Sequence, residues 1–459
     1  MDLTFLGAAQ TVTGSCYLLR VNGRRVLLEC GQIQGSREDE EKNRERLPVD
    51  VDALDAVILS HAHIDHSGRL PLLCKQGYTG PIYTHDASRA LCEIMLRDAA
   101  YLHEKDAEWE NTKRRRKGLP DVEPLYSRED AERVLEQFRG VSFDKQVEVV
   151  PGVKLTLRNA GHILGAAIVE LLLEERGRRV KLVFSGDLGD PDAPIMEDPD
   201  TVAEADVVLL ESTYGDRNHR PFDATLAELE SIFDNSSARR GNILIPAFAV
   251  GRTQDLLYLM AEHYERWRLD RWHVYLDSPM AIEATEVYYH YRHLYSARLF
   301  RGRGPLPMLD NFAATRTSAE SMALNDINAG AIIIAGSGMC TGGRILHHLK
   351  HNLWRPECHV VFVGYQAEGT LGRKIVDGAD YIRLWQDEIR VAAQVHTVGG
   401  LSAHADQDGL VGWYGAIKSR PPVYLVHGEP RAQHALADRL RREHGAAVHV
   451  PAYGHKLKL

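Results

Sequence analysis

The stretch Ser60-His61-Ala62-His63-Ile64-Asp65-His66-Ser67-Gly68 constrains this chain more than any other. It sets three histidines and one carboxylate within six residues. Ala56-Val57-Ile58-Leu59 precedes it, a short apolar run with β-branched residues that reads as a buried strand. Gly68 and Arg69-Leu70-Pro71-Leu72-Leu73 follow and read as a helix start. The cluster is therefore expected on a loop at the C-terminal end of a strand, where α/β proteins build their sites. Imidazole and carboxylate together suit a borderline metal such as Zn²⁺. His61 and His63 alternate, so in an extended segment they face the same way. Asp65 and His66 cannot easily converge on the same ion as that pair, which favours two adjacent metals. A merely polar loop would not need each ligand type at such spacing.

The rest of the chain has to supply a fold for that loop. Residues 1 to about 60 read as β, with Asn22-Gly23 between apolar runs as a hairpin signal. Pro81 to Thr84 is a further strand ending at His85, and from Asp86 to about Lys117 the pattern is helical. The one basic run, Lys113-Arg114-Arg115-Arg116-Lys117, reads as a solvated face, with RNA contact as the sharper alternative. Val147 to Glu174 alternates like strands and breaks at Gly161-His162-Ile163-Leu164-Gly165. Two more strands end in carboxylates, at Ser185-Gly186-Asp187 and at Glu211-Ser212-Thr213. From about 213 the pattern changes to alternating strands and helices, which implies a second domain with its own parallel sheet. There Ser278 reads as a helix N-cap with Pro279 behind it. β character returns from about Tyr381. Two late segments carry histidines, Leu401-Ser402-Ala403-His404 and Leu425-Val426-His427-Gly428-Glu429.

Composition narrows the class. The 459 residues allow two or three domains, or one with a large insertion. With 44% apolar and 26% charged residues the chain is of globular type. No apolar run approaches the roughly 20 residues that span a bilayer. The N-terminus lacks a basic region before an apolar one, which argues for a cytoplasmic protein without a signal peptide. Six scattered cysteines without a CxxC read as buried thiols in a reducing compartment. A net charge of -9 counts mildly against nucleic acid, although bound divalent ions and local arginines can outweigh it at a site. The 22 histidines favour a metal enzyme over a structural protein.

The HxHxDH pattern of His61 to His66 resembles the metallo-β-lactamase superfamily. With Glu211, His404 and His427 in their motifs, the chain is most similar to the β-CASP branch of RNA-processing nucleases. The resemblance covers essentially the whole chain. It implies a four-layer αββα metallo-β-lactamase fold from residues 1–212 and 376–459, with an inserted α/β β-CASP domain at 213–375 as a lid. It further implies one zinc on His61, His63 and His162, a second on Asp65, His66 and His427, and Asp187 bridging both. Two such Zn²⁺ ions, roughly 3.5–4 Å apart, can hold a hydroxide and clamp a phosphate. His404 is then the candidate general acid, with Glu211 setting its tautomer and raising its pKa. Asp65, Asp187, Glu211 and His404 are thus the expected catalytic set.

The implied reaction is zinc-dependent hydrolysis of single-stranded RNA to 5′-phosphate and 3′-hydroxyl ends, in the cleft between the domains. Endonucleolytic cleavage is preferred, because no C-terminal extension is visible; 5′-3′ exonuclease action is the alternative. A histidine at the last motif favours RNA over DNA. RNA contacts are expected from Ser337, in the glycine-rich loop Gly336 to Arg344, and from Arg252 and Arg373, where helices begin after strands. The rival readings are a small-molecule hydrolase of the same fold and a non-catalytic RNA-binding subunit. The oligomeric state stays open between monomer and homodimer.

Overall fold

The structure is a computed structural model and describes residues 1–191, 193–236, 240–297, 299, 309–364 and 366–459. Its first strands are β1 (Asp2–Gly7), β2 (Cys16–Val21) and β3 (Arg24–Leu28). Asn22 and Gly23 join the last two with φ of 50° and 74°, the pair of positive values that a two-residue type I′ turn needs. Parallel strands β4 (Ala56–Ile58), β5 (Ile82–Thr84) and β6 (Phe138–Gly140) extend the sheet. Near the other end of the chain, Lys456–Lys458 pairs antiparallel with β1.

A second sheet runs through β7 (Val147–Val150), β8 (Val153–Asn159), β9 (Ala167–Glu175), β10 (Arg178–Phe184) and β11 (Val207–Glu211). Val423–Val426 joins it parallel to β11, and Val448–His449 completes the order. Residues of period two point inward from both sheets: Leu3 and Phe5, Tyr17 and Leu19 from one, Leu155 and Leu157, Leu182 and Phe184 from the other. They form one buried cluster, so the sheets pack face to face. Helices Leu70–Lys75, Asp86–Arg116 and Arg128–Leu135 pack together beside the first sheet. Gln407–Gly415 and Pro430–His444 pack together beside the second. The layering is helix, sheet, sheet, helix.

The chain divides into two compact units, residues 1–191, 198–218 and 404–459 against 192–197 and 219–403. The main sheet of the second has, among the described residues, six strands, all parallel, in the order Phe312–Ala314, His273–Asp277, Ala331–Ala335, Ile243–Pro246, His359–Phe362, Gln394–Thr397, and Tyr381–Leu384 pairs antiparallel with Asp387–Arg390 in a separate ribbon. The units part at 218 and 403, against expected boundaries of 212 and 375. The later join differs because Gln394–Thr397 hydrogen-bonds alongside His359–Phe362 rather than returning to the first unit. Where the chain leaves and re-enters that unit its ends are tied together. Asn218 donates to the Asp408 carboxylate at 2.7 Å and accepts from the Asp408 amide at 3.1 Å. Among the described residues no helix is long and apolar enough to cross a membrane. All six cysteines are buried and unbridged.

Candidate metal centre

Every candidate ligand lies in the first unit, at or just past a strand end. After β4 the backbone runs through Ser60 to His63 and then makes one short helix, Ile64–Ser67, before the helix expected at Leu70. Asp65 and His66 therefore leave from a helical turn, whereas His61 and His63 leave from extended chain, which is why the two pairs diverge. His162 follows β8 between Gly161 and Gly165, both at positive φ, 70° and 77°. A Cβ on Gly165 would stand 2.6 Å from the Ser88 amide, so only glycine lets this loop close on the long helix. Asp187 follows β10, Glu211 ends β11, and His427 follows Val423–Val426. His404 is brought in by backbone pairing with Gly189.

Two donor groups meet on one carboxylate. In the first, His61 Nε2 and His162 Nε2 each stand 3.1 Å from His63 Nδ1, and 3.4 and 3.7 Å from Asp187 Oδ2. In the second, His66 Nε2 is 3.1 Å from His427 Nε2 and 3.3 Å from Asp187 Oδ1, and His427 Nε2 is 3.2 Å from Asp65 Oδ2. The ligand atoms of His61, His63, His162 and Asp187 lie within 4.8 Å of one another, as do those of Asp65, His66 and His427. Ring nitrogens crowded against ring nitrogens and carboxylates, buried except for partly exposed His63 and Asp65, make a poor hydrogen-bond network and a good cation cage. The donor types and the shared Asp187 fit a pair of zinc-like ions.

The electrostatics agree with that fit. Burial pushes His61 well below the usual imidazole range and His63 down to about 4, so both present lone pairs at neutral pH. Burial also opposes a charge on His66, but the carboxylates of Asp187 and Asp65 and hydrogen bonds to Asp187 and Glu29 outweigh it and raise its pKa. Burial would raise Asp187; the charges of His427, His66 and His61 hold it well below the ordinary carboxylate value instead. The second pocket thus calls for positive charge.

Groups behind the ligands set their orientation. Ser60 Oγ stands 3.0 Å from His61 Nδ1, Thr213 Oγ1 3.0 Å from His427 Nδ1, and Glu29 Oε2 2.5 Å from His66 Nδ1. Glu29 is fully buried and also accepts from the Ser60 amide and hydroxyl, at 2.6 and 2.9 Å. Glu29 lies outside the sequence motifs, although it carries the same signal as Asp187 and Glu211: an acid at the end of an apolar strand.

Beside Asp187 sits His404, its Nδ1 3.1 Å from Glu211 Oε1 and 3.9 Å from Asp187 Oδ2. Glu211 also accepts from the amides of Leu188 and Thr213, at 3.0 and 3.1 Å, which fixes its carboxylate. Burial works against a charged His404, but Glu211, by charge and hydrogen bond, with Asp187 and Asp65, lifts it to about 9.

Ser337, Arg252 and Arg373 belong to the second unit. Ser337 Oγ accepts from the Thr341 and Gly342 amides, at 2.9 and 3.3 Å, and so braces its own glycine-rich loop. Arg252 is 8% exposed, with Asp255 at 3.7 Å, and Arg373 pairs with Asp377 at 2.7 Å. Ser278 accepts from the Ala281 amide with Pro279 at the first helical position, as expected. Its neighbour Asp277 does more than the sequence suggests. Its buried carboxylate accepts from Arg344, His348, Ser321 and Thr315.

Comparison with known proteins agrees with this arrangement. Residues 10–247 match the metallo-β-lactamase superfamily, residues 253–375 the Beta-Casp domain, and residues 388–451 the Zn-dependent metallo-hydrolase RNA specificity domain. A Thermus thermophilus protein named ribonuclease TTHA0252 is 39% identical over 99% of both chains. The transcription termination factor FttA of Methanocaldococcus jannaschii is 32% identical over 98% of this chain and 70% of its own. A crystal structure of an Enterococcus faecalis protein of unknown function shares the fold, with a TM-score of 0.54 at 12% identity over 100% of this chain and 99% of the other. With matches to both the metallo-β-lactamase and the Beta-Casp models, and a full-length relative at 39% identity, the chain belongs to the β-CASP branch of the metallo-β-lactamase superfamily.

Proposed function

We propose that the chain is a zinc-dependent ribonuclease of the cytoplasm that cuts single-stranded RNA internally, leaving 5′-phosphate and 3′-hydroxyl ends. The observation that carries this reading is the sharing of Asp187. Its carboxylate faces both donor groups, and His404 stands 3.9 Å from it on the remaining side. His61, His63 and His162 with Asp187 would hold one Zn²⁺, and Asp65, His66 and His427 with Asp187 the other. Bound there, the ions supply Lewis acidity toward the phosphate and ease the ionisation of water. The chain's own part is positioning and proton transfer. Glu29, Ser60 and Thr213 hold the imidazoles in their ligating orientations. Glu211 binds Nδ1 of His404, so the Nε2 proton passes to the leaving O3′ as the P–O3′ bond breaks. Ser337 and Arg373 are assigned to RNA phosphate. The choice of RNA is supported by the match to an RNA specificity domain and by the names of the relatives.

The test is one incubation of the zinc-loaded protein with end-labelled and internally labelled RNA of one sequence. Internal fragments bearing 5′-phosphates are expected. Mononucleotides released from the 5′ end alone would overturn the endonuclease assignment, and intact RNA beside brisk lactam or thioester hydrolysis would overturn the substrate. A His404→Ala protein should keep both zinc equivalents and lose roughly 10²–10⁴-fold in rate; an unchanged rate removes His404 from the mechanism.

A further inference from the structure

The basic run at the end of the long helix does not stand alone. The helix Asp86–Arg116 is anchored at the metal centre, where Ser88 Oγ donates to the Gly165 carbonyl of the His162 loop at 2.7 Å. Its buried contacts fall mostly in the first half, from Ala87 to Ala100. Beyond that point one face carries Tyr101, Lys105, Trp109 and Lys113 at a spacing of four. At 3.6 residues per turn these span an arc of about 120°, and Arg116 falls inside it. The acids of this half, Glu104, Asp106, Glu108 and Glu110, fall outside the arc. A solvated charged face has no use for large rings, yet Tyr101 is 42% and Trp109 63% exposed. Cations sit over both rings: Lys113 Nζ lies 2.8 Å from the Trp109 centroid, and the Arg128 guanidinium 4.6 Å from that of Tyr101. Glu108 also holds Lys105, at 2.7 Å.

We infer that this stripe is an accessory platform for single-stranded RNA, on which bases stack on Tyr101 and Trp109 while Lys105, Lys113 and Arg116 meet phosphates. Alternating rings and cations suit a strand whose bases and phosphates alternate, and ring stacking tolerates any sequence. The stripe is about 22 Å long and begins about 22 Å along the helix from the metal-centre end, at 1.5 Å per residue. It therefore touches long substrates and misses short ones. Charge sets the side of the helix that the strand takes. A cleft of about 700 Å³ that Trp109 helps to line carries four acids, Glu40, Glu41, Asp106 and Glu110, against two arginines, Arg44 and Arg114, and so disfavours phosphate on balance.

The inference rests on RNA being the substrate, and the test separates the two. Fluorescence anisotropy with the zinc-loaded protein would use phosphorothioate RNAs of 30 and 6 nucleotides, which hydrolyse slowly. Replacing both rings (Tyr101→Ala with Trp109→Ala) should weaken binding of the 30-mer at least tenfold and shift that of the 6-mer less than twofold. Replacing Lys105, Lys113 and Arg116 by serine should lower the salt dependence of the 30-mer by about 2 in log-log slope, at roughly 0.7 per lost phosphate contact. Equal binding of the 30-mer by all proteins would overturn the platform, as would equal losses at both lengths. A wild-type dimer that turns monomeric in the ring variant with unchanged RNA affinity would assign the face to a second copy and also overturn it. A wild type that binds the 30-mer in this length-dependent way but never cuts RNA would sink the ribonuclease reading and leave the platform standing.

Discussion

Glu29→Gln tests how much of the second metal pocket depends on a residue that touches no metal. Glu29 uses one oxygen for the Ser60 amide and the other for both the Ser60 hydroxyl and His66 Nδ1. Glutamine keeps the volume and only one acceptor. With its NH₂ toward His66, Nδ1 must accept, the ring proton moves to Nε2, and Nε2 can no longer ligate. With its NH₂ toward Ser60, two buried donors face each other. Either way one hydrogen bond to a charged acceptor is lost, about 1.5–3 kcal/mol. At 1.4 kcal/mol per decade that is roughly 10- to 150-fold in affinity, in line with the 10–100-fold usual for groups that orient a metal ligand. The assay is zinc titration against a chromophoric chelator, with elemental analysis for stoichiometry. One of two equivalents should weaken by that factor, and the other, at His61, His63 and His162, should stay within about threefold. Two equivalents both unchanged would refute the reasoning, and so would two that weaken equally.

Gly31→Ala should disable the site without removing a ligand: its Cβ would stand 1.6 Å from the Asp65 carbonyl, so the helical turn carrying Asp65 and His66 must shift. A displacement near 1 Å predicts a loss of about 100-fold in kcat/KM, read in the labelled-RNA assay. Asp277→Asn strips Arg344 and His348 of a buried charge partner and should destabilise the fold by roughly 3–5 kcal/mol at pH 7 by thermal melting. Burial would raise the Asp277 pKa, but the hydrogen bonds of His348, Ser321, Thr315 and Arg344 lower it. Its stabilisation is therefore complete above the unfolded value of about 3.9 and fades as pH falls through the lower folded value, so the gap between wild type and variant should narrow below about pH 4. Chelation should lower the melting temperature, since ligand at about a thousand times its Kd stabilises by about 4 kcal/mol; an unshifted melting curve would contradict the cage.

Strand ends made much of the site legible. His61 to His66, Asp187, Glu211 and His427 each follow an apolar run, and the structure brings all of them to one point. His162 lacked that signal by itself and was marked by its two glycines. What stayed hidden was what depends on folding at long range. Nothing local says that His63 turns Nδ1 inward while His61 turns Nε2, or that Asp65 sits in a helical turn. Glu29 shows locally only an acid after an apolar run, because its partner His66 lies 37 residues on. Asp277 carries no local signal of its own beside the Ser278 cap, and its four partners, Thr315, Ser321, Arg344 and His348, all lie later in the chain. The second compact unit runs on past the expected boundary at 375 for the same reason: the neighbour of Gln394–Thr397 cannot be read from its own residues.

The clasp between Asn218 and Asp408 has a topological consequence. Residues 219–403 leave and return through one doorway, so for the first unit they amount to a single surface loop. Loop-closure entropy grows only with the logarithm of length, so bridging that doorway with about five residues instead of 185 would favour closure by about 3 kcal/mol. The metal ligands, Glu211 and His404 all lie on the near side of the doorway. The first unit thus behaves as a socket that can exchange one excursion for another while its cage stays intact.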